Sequence, residues 1–286
     1  MVRQSDLIFR LLLLLAGTSL AQDKLRVCAD PNNLPFSNRG EQGFENKIAT
    51  LLARDMNHIL EYEWHAQRRG HLRNTILAGR CDLIMGIVTG VDMVETTEPY
   101  YRSTYVFVTR AASKLKLNSF DAPQLRKLRV GVQVIGDDYA NTPPVHAMAR
   151  RGIVDIQGYR VVGDYQTPNP PASIIHAVSS GEIDVAIAWG PMAGYFAALA
   201  PGGLQIQPLS ASEDFAIPLT YDISLCVRRG NRLLKQKVDA ALKRNHRAII
   251  AILKDYHVPL VGPRDSALKA PNPGKNDTKA SARAAK

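Results

Sequence analysis

Two short segments of this chain recur at nearly the same spacing, and that recurrence constrains its fold more than any other feature. Leu25-Arg26-Val27-Cys28-Ala29 resembles Leu128-Arg129-Val130-Gly131-Val132, 103 residues later, and each follows a lysine. Gly79-Arg80-Cys81-Asp82-Leu83-Ile84-Met85 resembles Gly181-Glu182-Ile183-Asp184-Val185-Ala186-Ile187, 102 residues later. Each match is short, but the two offsets agree, which implies a duplicated α/β unit.

The pattern within each unit supports this. Phe44, Ile48, Leu51 and Leu52 fall at i, i+4, i+7 and i+8, one face of a helix. A strand is expected over Leu60–Trp64, a short helix over Leu72–Ala78 stopped by Gly79, and a buried parallel strand over Cys81–Ile87. In the second unit Ile174, Ile175 and Val178 mark the matching helix, Gly181 ends it, and a strand follows over Ile183–Trp189. Strands alternating with helices predict parallel β-α-β units, whose ligands sit beyond the carboxyl ends of the strands. Two β-branched and aromatic runs, Tyr105–Thr109 and Tyr221–Arg228, read as crossings between the units, and the amphipathic stretch Leu233–Leu253 as a helix packed on the first. The predicted fold class is therefore α/β and two-lobed, each lobe a mainly parallel sheet flanked by helices, with two crossover strands. Residues 22–109 and 222–262 form lobe 1 in this reading and residues 110–221 lobe 2. Two crossings make a hinge, which permits closure around something bound.

The ends carry different signals. Arg3 and Arg10, the run Leu11–Leu15 and the exit Ser19-Leu20-Ala21 describe a secretory signal peptide over residues 1–21, cleaved near Ala21, which predicts a periplasmic location. The apolar run is short of the roughly 20 residues a membrane span needs, so the chain is not expected to be membrane-spanning. Residues 263–286 lack aromatics and are rich in Ala, Lys, Pro, Asn and Ser, so a disordered basic tail is expected there. The first 21 residues carry a net charge of +1 and residues 264–286 carry +4, leaving +5 of the overall +10 for the body. That mild excess favours acidic partners but gives no reason to invoke nucleic acid. Of three cysteines, Cys28 and Cys81 come within bridging reach if their strands are neighbours; two separate buried thiols are the alternative, and Cys226 is left over either way.

Arg26-Val27-Cys28-Ala29-Asp30-Pro31-Asn32-Asn33-Leu34-Pro35-Phe36-Ser37-Asn38, followed by Gly43-Phe44-Glu45-Asn46-Lys47-Ile48-Ala49, resembles the opening of a family-3 bacterial solute-binding protein of type II fold. It is most similar to the MxaJ/XoxJ group, and Gln67-Arg68-Arg69-Gly70, Ala78-Gly79-Arg80-Cys81-Asp82 and Pro99-Tyr100-Tyr101-Arg102 agree. The resemblance spans about Leu25 to Pro263 and is denser in the first lobe. It implies a periplasmic accessory protein, with no cofactor of its own, whose partners are a quinoprotein (PQQ) methanol or alcohol dehydrogenase and/or its c-type cytochrome.

Three departures from amino-acid binders of the wider family bear on the site. Where those place an Arg to clamp the ligand carboxylate, this loop reads Thr89-Gly90-Val91-Asp92-Met93-Val94. Where they place an Asp for the ligand ammonium, the matching position is Trp189. At the helix start that favours anions the chain reads Gly136-Asp137-Asp138.

The residues singled out for the cleft or a partner are Asp30, Asn33, Phe36, Arg68, Arg69, Thr89, Tyr100, Asp137 and Trp189. Each has a plainer reading. Asp-Pro-Asn-Asn is good turn chemistry, Arg68 and Arg69 suit a solvated loop, and Trp189 and Tyr100 suit packing. Two further functions compete with the accessory role: a transport receptor closing on a small solute, and an enzyme. The second lacks a zinc-ligand His pair, a Gly-x-Ser-x-Gly elbow and a Gly-rich phosphate loop, and leaves Glu45 and Glu98 as the acids to test.

Overall fold

The structure, a computed structural model, describes residues 22–135, 140–161, 166–209 and 218–262. The expected signal peptide, the basic tail from residue 263 and Asp137 lie outside the described residues. Among the described residues one continuous sheet of 11 strands has as its longer members β1 (Lys24–Ala29), β2 (Ile59–Trp64), β3 (Leu83–Val88), β4 (Tyr101–Arg110), β5 (Val130–Ile135), β6 (Ile156–Arg160), β7 (Val185–Trp189), β8 (Leu204–Pro208) and β9 (Thr220–Val227). Their order is β6-β5-β7-β4-β9-β3-β1-β2, with β8 on β4. Shorter pairings at Glu95–Thr96 and Ala140–Asn141 join β9 and β5.

The duplication is visible in this order. β1 runs parallel between β2 and β3, and β5 runs parallel between β6 and β7. The repeated segments thus supply the central strand of each half and the neighbour on its inner side. Equivalent residues make the same contact. The Arg26 guanidinium donates to Asp82 at 2.7 and 3.0 Å, and the Arg26 backbone N–H donates to it at 3.1 Å. Arg129 clamps Asp184 at 2.7, 3.0 and 3.0 Å. The paired carboxylate joins adjacent parallel strands at their starts, a bidentate task suited to guanidinium.

β4 and β9 link the halves. Tyr101–Thr104 pairs antiparallel with β9, while Tyr105–Thr109 pairs antiparallel with β7. Arg102 and Asp222 bind across the two crossing strands at 3.1 Å. The α/β fold with paired crossover strands expected from the sequence is the one observed.

Helices cover the sheet: α1 (Phe44–Asp55), α2 (Pro143–Ala149), α3 (Ser173–Ser180), α4 (Gly190–Leu199), α5 (Arg232–Arg244) and α6 (His246–Asp255). Phe44, Ile48 and Leu52 are fully buried with Val238, Ala241, Ile249 and Leu253, so α5 and α6 pack on the first half as expected. They form two helices rather than one, broken at Asn245. The helix expected over Leu72–Ala78 is only a single turn, His71–Asn74, because Thr75 leaves helical geometry (φ −122°, ψ −93°) and buries its hydroxyl against the His71 carbonyl. Strands begin two residues later than expected, at Leu83 and Val185, since Asp82 and Asp184 serve the clamps instead. Cys28 and Cys81 form a disulfide with a Cα–Cα distance of 5.6 Å, and Cys226 is a buried free thiol.

Candidate functional site

The carboxyl end of β1 opens into a turn that gathers several polar groups. Asp30 is 4% exposed and accepts the backbone N–H groups of Asn32 (2.8 Å) and Gln67 (2.7 Å), tying the loops after β1 and β2 together. The Asn33 side-chain amide donates to the Gln67 side-chain carbonyl at 3.0 Å, while its own buried side-chain oxygen, Oδ1, has no hydrogen-bond partner. Phe36 meets Phe44 edge-to-face at 5.3 Å, where the Phe44 N–H donates to the Pro35 carbonyl to start α1. Gly43 is required there, because a Cβ would lie 1.9 Å from the Phe36 carbonyl oxygen. The turn reading and the cleft reading of Asp30 and Asn33 therefore describe the same atoms.

Glu45, in the first turn of α1, lies inside this region at 9% exposure. Its carboxyl rests on Gly86 of β3, where a Cβ would sit 2.2 Å from Oε1 and where φ is +69°. Glycine meets both demands: the close approach and the left-handed backbone. Burial, reinforced by the Asp30 carboxylate, pushes Glu45 up to about 8, so the acid is mostly protonated at neutral pH. Burial first, and then the nearby Glu45, raises the Tyr100 and Tyr101 hydroxyls well above their ordinary range. A neutral carboxyl in such a place can donate a hydrogen bond to a bound group, or lose its proton when a cation arrives.

The other expected residues are dispersed. Arg68 and Arg69 are exposed on the loop after β2, beside His65 and His71, whose rings lie 5.4 Å apart. Burial lowers the His71 pKa. Thr89 bonds Ser224 at 2.7 Å and the Asp222 carbonyl at 3.0 Å, holding β3 to β9. Tyr100 is 5% exposed and packs edge-on to Tyr101 at 4.8 Å. Trp189 is half-buried between Tyr105 (5.3 Å) and Tyr221 (5.9 Å), which come from the two crossing strands. Its backbone N–H donates to the Gln133 side chain at 2.7 Å. The structure thus brings together Asp30, Asn33 and Phe36 and leaves Thr89 and Trp189 as joints.

Two features escaped the sequence reading. Leu34 is 7% exposed and belongs to the apolar cluster of the second half with Val106, Ile174 and Met192, while Asn32 donates across to the Thr167 carbonyl at 3.0 Å. The loop after β1 therefore bridges the halves. An open depression of about 780 Å3, lined by Asn141, His146, Arg150 and Tyr221 among others, lies elsewhere and includes none of the expected residues. The Arg–Asp clamps had a signal, since all four residues stand inside the repeated segments. The Leu34 insertion had none.

A duplicated sheet with paired crossover strands and its loops gathered at the carboxyl ends defines a two-lobed α/β binding protein. Residues 25–257 match the bacterial extracellular solute-binding proteins, family 3, and the chain belongs to that family. It is 35% identical to the crystal structure of the periplasmic binding protein XoxJ from Methylobacterium extorquens AM1, covering 84% of this chain and 100% of that one, with a TM-score of 0.69. The structure of MxaJ from Methlophaga aminisulfidivorans MPT is 25% identical over 83% of this chain and 100% of that one, TM-score 0.70. Protein MoxJ of Methylorubrum extorquens is 29% identical over 83% of this chain and 81% of its own length. Among the described residues no helix is long and apolar enough to cross a membrane.

Proposed function

We propose that this chain is a periplasmic accessory protein of a PQQ-dependent methanol or alcohol dehydrogenase system, serving the maturation, activation or cytochrome coupling of that enzyme rather than catalysing a reaction. The observation that carries this reading is the state of the cleft. No guanidinium stands in the loop 89–94, and Trp189 is packed between Tyr105 and Tyr221 instead of offering a carboxylate. The likeness to XoxJ, MxaJ and MoxJ supports it. In this reading the lobes are residues 22–109 with 222–262, and residues 110–221. The partners are the dehydrogenase and/or its c-type cytochrome. Deleting the gene in its host should lower PQQ-dehydrogenase activity while the dehydrogenase polypeptide persists; unchanged activity would remove the reading.

The buried Glu45 beside Asp30 favours a second reading, a receptor for a small non-amino-acid solute. One metabolite should then raise the melting temperature strongly, since a ligand at about 100 times its Kd adds about 2.7 kcal/mol. Silence across amino acids, polyamines and alcohols would leave the accessory role alone.

A further inference from the structure

The positive charge of the body is concentrated in one place. Residues 228–255 hold nine Lys/Arg against Asp239 and Asp255, a net +7, whereas residues 22–227 sum to −2. This segment is the turn after β9 together with α5 and α6. Along α5 the exposed positions are Arg232, Leu233, Gln236, Lys237, Ala240, Lys243 and Arg244. At 100° per residue they fall within less than half a turn of the helix surface, with no acid among them. Asp239 borders this face about 20° beyond Arg232, but it is half-buried, paired with Lys235 at 2.6 Å and accepting the Glu98 N–H at 2.9 Å. Arg244 is paired with Asp55. Arg229, Arg232, Lys237 and Lys243 make no ion pair among the described residues and stand in solvent.

This arrangement works against the helix that carries it. Arg228, Arg229 and Arg232 crowd the N-terminal end of α5, which has no acidic residue in its first turn. Cations there oppose the helix dipole. Leu233, in the middle of the face, is 66% exposed, one of the largest apolar exposures in the described chain. A face that is locally unfavourable and carries an exposed Leu among unpaired cations has the composition of a docking surface: an apolar contact inside a field of one sign.

We propose that the solvent face of α5, centred on Arg232, Leu233, Lys237 and Lys243, docks an acidic protein surface. The inference rests on the accessory reading only in taking the acidic partner to be the dehydrogenase or its cytochrome. A lipid surface fits less well, because a helix lying in a membrane interface needs a free apolar stripe. That stripe is already spent: Val238, Ala241 and Leu242 are buried against the first half.

The test compares two matched triple variants of the full chain, each binding immobilised PQQ methanol dehydrogenase and, separately, its c-type cytochrome. One is Arg232→Gln/Lys237→Gln/Lys243→Gln. The other, Lys114→Gln/Lys116→Gln/Lys127→Gln, removes equal charge from exposed positions of the second half. At about 50 mM salt the first should weaken binding to one of the two proteins by about tenfold and the second by less than about threefold, with the gap closing as salt rises. Equal loss in both variants would reduce the effect to net charge and overturn the proposal. So would no loss, or no binding by the unsubstituted chain. Vesicles containing phosphatidylglycerol form the last arm; capture of the chain by them, lost in the first variant, would assign the face to lipid and overturn it. A failed docking test leaves the deletion phenotype untouched, so the two readings fall separately.

Discussion

The two halves solve one structural problem identically and a second one differently. Both tie the central strand to its inner neighbour with an Arg–Asp clamp, Arg26 to Asp82 and Arg129 to Asp184. Two residues after each Arg and one before each Asp they diverge. Cys28 and Cys81 of the first half correspond, at offsets of 103 and 102, to Gly131 and Ile183 of the second. Where the first half has a covalent bond, the second packs an Ile over a Gly, and a Cβ on Gly131 would lie 2.5 Å from the Ile183 Cδ1. The asymmetry extends to ionisable groups. Asp30, Glu45 and His71, the buried carboxylic acids and histidine among the described residues, all lie in the first half. The first half therefore holds these buried groups and carries the covalent staple, whereas the matching positions of the second are packed with apolar side chains.

The largest expected effect comes from removing the staple. Cys28→Ala/Cys81→Ala opens a loop of 53 residues, for which the loss is about 4 kcal/mol on the chain-entropy account. Urea unfolding measures it, and a loss under about 1 kcal/mol would mean the two solutions are equivalent in strength.

Glu45 comes next. Its folded pKa is raised, so the folded state holds a proton that the unfolded chain releases above about 4.5. Its contribution is therefore present at acid pH and is lost as pH rises toward and through about 8. Stability should fall by roughly 3 kcal/mol between pH 5 and pH 9, at 1.36 kcal/mol per unit with a discount for relaxation. Glu45→Gln should abolish that slope; an unchanged pH profile would deny the buried carboxyl this role.

The clamps should differ less. Asp184 accepts from Arg110 at 3.1 Å as well as from Arg129, and these guanidinium contacts hold its carboxyl far below the usual range. Asp82 accepts from Arg26 alone. Asp184→Asn should cost about 2 kcal/mol and Asp82→Asn about 1 kcal/mol, both groups being partly solvated. Equal losses in thermal unfolding would remove Arg110 from the account.

The smallest effect tests the equivalence itself. Gly131→Ala must displace the Ile183 tip and press on Tyr159, at a cost of about 1 kcal/mol. Gly131→Cys with Ile183→Cys should instead cross-link on oxidation, read as a mobility shift on non-reducing gels; its absence would show that the repeated positions are not superimposable.

Much of this was legible in the chain. The helix face Phe44, Ile48, Leu52 and the strand–helix alternation follow from periodicity, which is local. The disulfide followed from placing two repeated strands side by side. The single turn at His71–Asn74 was not legible, because Thr75 breaks a pattern whose spacing looks helical. Nor was the raised pKa of Glu45, whose neighbours Asp30, Gly86 and Tyr100 lie up to 55 positions away in the chain.

The sequence by itself determined that the chain is a duplicated α/β unit and where most of its strands and helices fall. Those properties depend on hydrophobic period and on repeats, both of which are written along the chain. Only the tertiary structure decided that Leu34 plugs the second half, that Trp189 is a joint between crossing strands, and that Glu45 is buried against Gly86. Each of these depends on sheet order and on which loops converge at the strand ends. Desolvation, which sets the charge of a carboxyl, exists only once those loops have closed over it.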